Sequence, residues 1–306
     1  MPPALGQHLL KDQNIIKKII EAAGLQPDSR VLEIGPGAGA LTKELVKKAK
    51  LVRAVELDAN FVQSLPKYPN LEIIYGDFLQ LDTGALFEGR IPLFNDSGEA
   101  DSLFSAHAEQ KQVLQTLESS RSRPAHAPLQ EPVKAEDKWK VAANLPYYIT
   151  TPIIEKLLSE GCPYIEEMIL MVQKEAADRI QSISCRESGA FSYFVNYYAE
   201  AETLFTVKPG AFSPPPKVDS AVIRLRPRKL GEIAAPPKQL FQVTQTAFKQ
   251  RRKTLRKSLQ PLASSWRSDL DKALQTAQIE PSQRPEELTL LQFSKLTLAL
   301  LEYKKA

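Results

Sequence analysis

The chain of 306 residues contains only two cysteines, Cys162 and Cys185, and only three histidines. The cysteines form no Cys-x-x-Cys pair, and His107 and His126 have no metal-ligand spacing, so neither a disulfide framework nor a metal site is expected. No apolar run approaches the ~20 residues that span a bilayer, and no signal-peptide segment is recognisable. The net charge of +4 is too small by itself to indicate a nucleic-acid partner. These absences predict a cytoplasmic protein without a membrane partner.

Short β-rich segments alternate with helical segments through much of the chain. Strands are predicted over 30–35, 51–56, 71–76, 139–143 and 167–172. Helices are predicted over 13–23, 40–48, 61–65 and 151–160. This alternation is typical of the α/β class, in which parallel strands joined by right-handed helical crossovers form a doubly wound sheet.

Two segments interrupt this alternation. Residues 92–137 are rich in Ser, Glu, Gln, Ala and Pro, which predicts an inserted loop. After a predicted strand over 218–225, prolines mark a linker, and helical patterns follow over 240–259, 268–277 and 289–302. We therefore predict a large domain over 1–228 and a small helical domain over 236–306.

A glycine-rich turn, Gly35-Pro36-Gly37-Ala38-Gly39, follows the first predicted strand and precedes a helix. Small residues at such a turn let the backbone approach a nucleotide-like cofactor. Because Gly35, Gly37 and Ala40 also fit the dinucleotide pattern, the motif alone leaves an NAD-dependent oxidoreductase open. The alternative without a ligand is a turn that needs glycine for packing.

Two acids follow the next strands and narrow the choice of cofactor. Glu56 ends the second strand, where a carboxylate can accept both ribose hydroxyls. Asp77 ends the third strand, where it can accept from an adenine amine with Phe78 beside the ring. NAD proteins use the first acid but have no particular use for the second, whereas S-adenosylmethionine uses both. Either acid could instead be an ordinary surface residue.

The tetrapeptide Asn144-Leu145-Pro146-Tyr147 follows the fourth strand, on the same sheet edge as the glycines. If the Asn144 side-chain oxygen and the Pro146 carbonyl accept both hydrogens of an adenine amine, its lone pair can turn towards a methyl donor. Tyr147 can stack on the base, and attack then needs positioning without a metal or an obligate base. The bland alternative is an Asx-type turn before a helix.

A second aromatic candidate, Phe212, precedes the proline run Pro214-Pro215-Pro216. The stiff loop is expected to hold its ring over the crevice, so that a flipped base lies between Tyr147 and Phe212. Phe212 could instead be a core residue beneath the loop.

These motifs give the chain a resemblance to the ribosomal RNA adenine dimethyltransferases of the KsgA/RsmA type. The matching segments are 6–10, 33–39, 55–58, 76–77, 144–147, 173–179, 212–220 and 250–254. The resemblance implies a Rossmann-like methyltransferase domain with an antiparallel last strand and a small helical C-terminal domain.

The resemblance also implies an activity and a set of site residues. The implied activity is the transfer of two methyl groups to each of two adjacent adenines near the 3′ end of small-subunit rRNA. The implied contacts of S-adenosylmethionine are His8, Leu10, Gly35, Glu56, Asp77 and Asn144. The implied contacts of the target adenine are Asn144, Pro146, Tyr147 and Phe212. We expect a monomer that acts on a pre-ribosomal particle.

Two features depart from the family pattern: His8-Leu9-Leu10 replaces the usual Asn-Phe-Leu, and residues 92–137 exceed the usual short connection. Two further functions stay open. One is methylation of large-subunit rRNA, as in macrolide-resistance enzymes, and the other is a non-catalytic ribosome-assembly factor.

A run of basic residues lies in the predicted helix over 240–259. Its candidate RNA contacts are Lys249, Arg251, Arg252, Lys253 and Arg256. Cations on one helix face can contact several phosphates and make RNA binding sensitive to salt. A merely solvated helix face is the alternative.

Overall fold

The computed structural model describes residues 8–94, 137–229, 231, 233–250 and 252–304. The predicted insertion over 92–137 therefore lies outside the described residues except at its ends, and so does Arg251. The chain forms two compact units, one of Met1–Lys174 with Glu202–Pro227 and one of Glu175–Ala201 with Arg228–Ala306. The sequence had placed 175–201 in the first domain, whereas the structure groups this segment with the second unit.

The first unit is built on a seven-stranded sheet. Its strands are β2 (Arg30–Ile34), β3 (Leu51–Glu56), β4 (Leu71–Tyr75), β5 (Trp139–Asn144), β6 (Ile165–Gln173), β7 (Ala199–Val207) and β9 (Ser220–Pro227). Their order across the sheet is β4-β3-β2-β5-β6-β9-β7. A separate antiparallel pair joins β1 (Leu9–Leu10) to β8 (Phe212–Ser213).

Strands β2 to β6 pair in parallel, whereas β9 runs antiparallel to β6. The predicted α/β class and its late antiparallel strand are thereby confirmed. The chain winds outwards from β2 in one direction and continues from β5 in the other, which makes the β2–β5 boundary the switch point of the sheet. Ligands of such sheets bind outside the carboxyl ends of the strands at this point.

The helices of the first unit cover the sheet. They are α1 (Gln13–Ala23), α2 (Thr42–Leu45), α3 (Ala59–Ser64), α4 (Thr83–Glu88) and α5 (Thr150–Lys156), which continues into a π-helical turn over Leu157–Gly161. The prediction of a helix over 40–48 was too long.

Helix α1 shows how local sequence sets these boundaries. The Asp12 carboxylate accepts from the amides of Asn14 and Ile15 at its start, and Gly24 ends it in the left-handed conformation with φ 52°. Between them, Ile16 and Ile19 are buried in the same apolar cluster as β2, β6 and β9. The helix predicted from isoleucine spacing is therefore confirmed.

The second unit is helical. Its helices are α6 (Lys174–Gln181), α7 (Ala190–Tyr198), α8 (Pro237–Phe248), α9 (Leu255–Trp266), α10 (Leu270–Thr276) and α11 (Leu290–Glu302). Tyr193 and Phe293 lie at its centre, fully buried, with ring centroids 4.9 Å apart in an edge-to-face arrangement. The helix predicted over 240–259 is wrong as a single element, because it ends at Phe248 and resumes at Leu255.

Within the described residues, no helix is both long and apolar enough to cross a membrane. Cys162 and Cys185 are both free thiols.

Candidate functional site

The glycine turn and the Asn-Leu-Pro-Tyr segment meet at the switch point of the sheet. The first follows β2 and the second follows β5, and these two strands are neighbours in parallel. A pocket at this edge is lined by His8, Leu9, Gly35, Gly37, Glu56, Asn144, Leu145, Pro146 and Tyr147. Motifs that the sequence separates by about a hundred positions thus form one site.

The glycine turn brings backbone to the pocket wall. Gly35 and Gly37 have φ of 68° and 54°, in the left-handed region that side chains other than glycine rarely adopt. A Cβ atom on Gly37 would lie 3.1 Å from Cδ2 of Leu9. Glycine therefore both permits the turn and leaves room for the segment that covers it.

Glu56 is buried at the pocket and holds the turn. Its Oε2 accepts the amide of Gly37 at 2.9 Å, and its Oε1 accepts the amides of Leu57 and Asp58 at 2.8 and 2.9 Å. A carboxylate offers about four acceptor positions. Three are filled by backbone amides, so one position remains for a ribose hydroxyl, and a second becomes available only if one of these amides leaves.

Glu33 is a second buried acid in this region, and the sequence analysis assigns it no role of its own. Burial raises its pKa to about 8; the nearby Thr42 opposes this shift in part, and the Glu56 carboxylate adds to it. Its Oε2 has no hydrogen-bond partner among the described residues. Glu33 is thus mainly protonated at neutral pH.

Asp77 and Phe78 do not line the pocket formed by the described residues. The Asp77 carboxylate accepts the amide of Leu79 at 2.9 Å, and Phe78 is buried with 4% of its surface exposed. Phe78, which the sequence analysis expects beside an adenine ring, is thus buried and lies outside the lining of this pocket.

The amide of Asn144 has a fixed orientation. Its Nδ2 donates to the backbone carbonyl of His8 at 3.2 Å. This leaves Oδ1 as an acceptor on a side chain that lines the pocket.

The carbonyl of Pro146 is engaged within the protein. It accepts the amide of Ile149 at 3.2 Å and the hydroxyl of Thr150 at 3.1 Å. A carbonyl oxygen has two lone pairs, so both positions are filled. The expected acceptance of an adenine amine by Pro146 would require one of these donors to leave. The Leu145 carbonyl, one residue earlier on the pocket wall, has no donor in the described part of the chain.

The ring of Tyr147 is half-buried and anchored at its tip. Its hydroxyl is 2.6 Å from that of Ser220, the first residue of β9. Burial raises the pKa of Tyr147, so the ring is a neutral phenol. The His8 ring lies against it with centroids 5.6 Å apart.

The β1–β8 pair fixes the covering segment. Leu9 pairs with Ser213 and Leu10 with Phe212, and Nδ1 of His8 is 2.8 Å from the carbonyl of Pro214. This arrangement turns Leu9 to the pocket and Leu10 to the core. The expectation that Leu10 contacts the cofactor is therefore corrected in favour of Leu9.

Phe212 does not lie over the crevice. Only 1% of its surface is exposed, and it packs in the apolar cluster that includes Ile16 and Val222. Pairing with Leu10 directs its ring into this cluster, so neither face is open to a base. The structure thus corrects the predicted sandwich and places Phe212 as a core residue.

The basic run lies in the turn between α8 and α9. Lys249, Arg252 and Lys253 are exposed there, and no ion pair to them occurs within the described ranges. Arg256, in the first turn of α9, forms a two-point ion pair with Asp271 at 2.6 and 2.9 Å. The run is therefore a cationic turn rather than one face of a continuous helix.

A wider concavity of about 430 Å³ lies in the second unit. Its lining is charged and includes the Glu175–Arg179 pair at 2.8 Å. It holds none of the predicted site residues, so the pocket at the switch point is the candidate site. Sequence reasoning missed Glu33, Leu9 and Ser220 there. Only Glu33 carried a local signal, as an acid two residues before the first glycine.

Comparison with known proteins identifies the relatives of the chain. The family model described as ribosomal RNA adenine dimethylase matches residues 2–300. A protein of Geobacillus thermodenitrificans named ribosomal RNA small subunit methyltransferase A is 36% identical, covering 97% of this chain and 90% of its own. A protein of the same name from Picosynechococcus is also 36% identical, covering 98% of this chain and 97% of its own.

Solved structures share the fold. A dimethyladenosine transferase from Plasmodium falciparum matches with a TM-score of 0.67 and 23% identity, covering 95% of this chain and 96% of its own. The 23S rRNA methyltransferase ErmE matches with a TM-score of 0.58 and 24% identity, covering 95% and 99%. The predicted fold class and family are confirmed: this chain belongs to the ribosomal RNA adenine dimethylase family.

Proposed function

We propose that the chain transfers methyl groups from S-adenosylmethionine to the N6 amines of two adjacent adenines near the 3′ end of small-subunit rRNA. The observation that carries the proposal is the Asn144 amide, whose Nδ2 is held by His8 so that Oδ1 is left as a pocket acceptor beside the glycine turn. One site thus combines a nucleotide cradle with an acceptor for an exocyclic amine.

The residues present fit the cofactor. The buried Glu56 carboxylate retains one free acceptor position for a ribose hydroxyl. The left-handed glycines and Leu9 shape the wall around it. When bound, S-adenosylmethionine supplies an electrophilic methyl group. The proposed cofactor contacts are His8, Gly35, Gly37 and Glu56. Asp77 is proposed to accept a hydrogen bond from the adenine amine of the cofactor.

The proposed base site uses acceptors and one aromatic face. Oδ1 of Asn144 accepts one hydrogen of the adenine amine, and the Leu145 carbonyl accepts the other, because the Pro146 carbonyl already has two donors. These bonds direct the lone pair of the amine out of the base plane, towards the methyl group. Tyr147, held by Ser220, offers a ring for stacking once the base displaces the His8 side chain from it, while the His8 backbone carbonyl stays on Asn144. Each transfer would form one N–C bond, break the bond between the methyl carbon and the sulfonium sulfur so that S-adenosylhomocysteine leaves, and release one amine proton to water.

The rRNA contact surface is proposed to include the cationic turn between α8 and α9. Lys249, Arg252 and Lys253 have charges without ion-pair partners in the described chain, and such charges are available to phosphates. Arg251 belongs to the same run and lies outside the described residues. Arg256 is a weaker candidate because Asp271 neutralises it. The names of the relatives support small-subunit rRNA as the substrate. We further propose that this RNA is bound within a pre-ribosomal particle and that the protein acts as a cytoplasmic monomer.

Substitution of Asn144 tests the proposed chemistry. Asn144→Ala removes the acceptor, and we expect kcat to fall by about 10²- to 10³-fold, as for loss of one transition-state hydrogen bond. Methyl transfer from labelled S-adenosylmethionine to unmethylated small subunits measures kcat, and calorimetry measures cofactor binding. Asn14→Ala, at an exposed position of α1, is the matched control.

Three outcomes would contradict the proposal. Unchanged kcat in Asn144→Ala would reject the role of this side chain. Wild-type protein that binds particles but transfers no methyl would indicate a non-catalytic assembly factor. Wild-type protein that binds NAD and no S-adenosylmethionine would indicate an oxidoreductase.

A further inference from the structure

Tyr148 stands beside the site and takes no part in the chemistry described above. Its side chain is 57% exposed, and it is the one aromatic residue among the exposed large apolar side chains of the described chain. No hydrogen bond or ring contact of Tyr148 occurs within this part of the chain. An aromatic ring that is exposed to water next to a base-binding residue can bury its surface by stacking on a planar group.

The backbone that carries Tyr148 is held on both sides. Tyr147–Ile149 form a single 3₁₀ turn, closed by the bond from the Ile149 amide to the Pro146 carbonyl at 3.2 Å. The turn is tied to β9 through Tyr147 and Ser220, at 2.6 Å between hydroxyls. Thr150, at the start of α5, adds a bond of 3.1 Å to the same Pro146 carbonyl. The backbone at Tyr148 is thus held in place by hydrogen bonds of the residues on both sides of it.

The turn also separates the directions of the two tyrosines. With about three residues per turn, successive side chains of a 3₁₀ helix point roughly 120° apart. Tyr147 faces the pocket and bonds Ser220, so Tyr148 faces away from the pocket and into solvent. Tyr148 therefore lies outside the pocket proposed for the reacting base and adjoins Tyr147 in the sequence.

The loop that leads to Ser220 presents two more exposed groups. Lys217 is exposed, and Val218 is 46% exposed. Ser220, which follows this loop, bonds Tyr147, so the loop leads to the residue that precedes Tyr148 in the sequence. An exposed ring, an exposed aliphatic group and a cation suit a nucleotide, which has a stacking face and a phosphate.

We propose that Tyr148 is a positioning residue that stacks on a nucleotide flanking the target adenine, and so holds the strand in place while the adenine occupies the pocket. The inference rests on the proposed function and adds a contact outside the reacting base. Stacking on an aromatic ring does not depend on base identity, so Tyr148 contributes to affinity for the RNA rather than to choice of the base.

The test compares Tyr148→Ala, Tyr148→Phe and, as a matched loss of an exposed apolar side chain, Leu291→Ala, which is 60% exposed. The substrate is the unmethylated small subunit with labelled S-adenosylmethionine. We expect KM for the particle to rise about tenfold in the alanine variant, with kcat unchanged. The phenylalanine and Leu291 variants should match the wild type.

A second readout reports the stacked base directly. An RNA hairpin with two adjacent adenines carries 2-aminopurine at the flanking position, and its fluorescence is recorded on binding. We expect quenching with wild type and Tyr148→Phe and none with Tyr148→Ala. A wild-type KM and undiminished quenching in the alanine variant overturn the proposal, as does a phenylalanine variant that behaves like alanine. A wild type that transfers no methyl overturns the proposed function itself.

Discussion

Glu33 provides a test of the site that depends on pH. Its pKa rises from 4.5 to about 8 because burial at the end of β2 penalises the charge. The folded protein therefore retains a proton that the unfolded chain releases above pH 4.5. As the pH rises from about 4.5 to 8, the free energy of unfolding must fall, and above the folded pKa the loss stops increasing. Relative to low pH, this difference in pKa lowers the free energy of unfolding by about 3 kcal/mol at pH 7 and by about 4 kcal/mol at pH 8.

The substitution Glu33→Gln isolates this contribution. Glutamine resembles the protonated acid in shape and has no carboxyl to ionise, so the pH-dependent loss between pH 5 and 8 should disappear. Urea unfolding at several pH values measures it: the wild type should lose about 3 kcal/mol more than the variant across this interval. Parallel curves for the two proteins would refute the assignment of a raised pKa to Glu33.

Three further predictions concern other residues. Phe212→Ala should lower the free energy of unfolding by about 3–5 kcal/mol, whereas Phe212→Leu should lose less than about 1.5 kcal/mol and keep its methyl transfer rate; a stable but inactive leucine variant would restore the stacking role. Gly37→Ala should lower the free energy of unfolding by about 1–2 kcal/mol and weaken cofactor binding measured by calorimetry. The control is Gly24→Ala, because Gly24 has a similar φ and no atom within 4 Å of an added Cβ; this variant should lose stability and keep its cofactor affinity. Equal cofactor affinity in the two glycine variants would contradict the proposed pocket wall. Lys253→Ala should reduce the slope of log affinity for rRNA against log salt by about 1, and Arg256→Ala should reduce it less, as seen in binding titrations; equal changes would contradict the difference in pairing.

The sheet and its cofactor edge could be predicted because the relevant signals are local. Apolar runs that precede Gly35, Glu56 and Asn144 predicted the strands. Because the strands are parallel, their carboxyl ends lie at the same edge of the sheet, where these three residues line one pocket. The assignment of 175–201 to the second unit was not predicted, because no turn signal at either end separates this segment from the first domain.

The errors at the site share a cause in long-range contacts. Phe212 is buried because β8 pairs with β1, two hundred residues earlier in the chain. The Pro146 carbonyl is occupied because the chain turns back on itself into α5. The basic run lies in a turn because α8 ends at Phe248. None of these contacts leaves a periodic pattern in the sequence.

The proposed reaction is methylation of adjacent adenines in small-subunit rRNA. The most direct measurement is mass spectrometry of nucleosides and mapped fragments after purified wild-type protein and S-adenosylmethionine act on unmethylated small subunits and, separately, on large subunits. We expect dimethyladenosine at two adjacent positions near the 3′ end of the small-subunit RNA and none in the large-subunit RNA. Methylation confined to large-subunit RNA, or none in either, would contradict it.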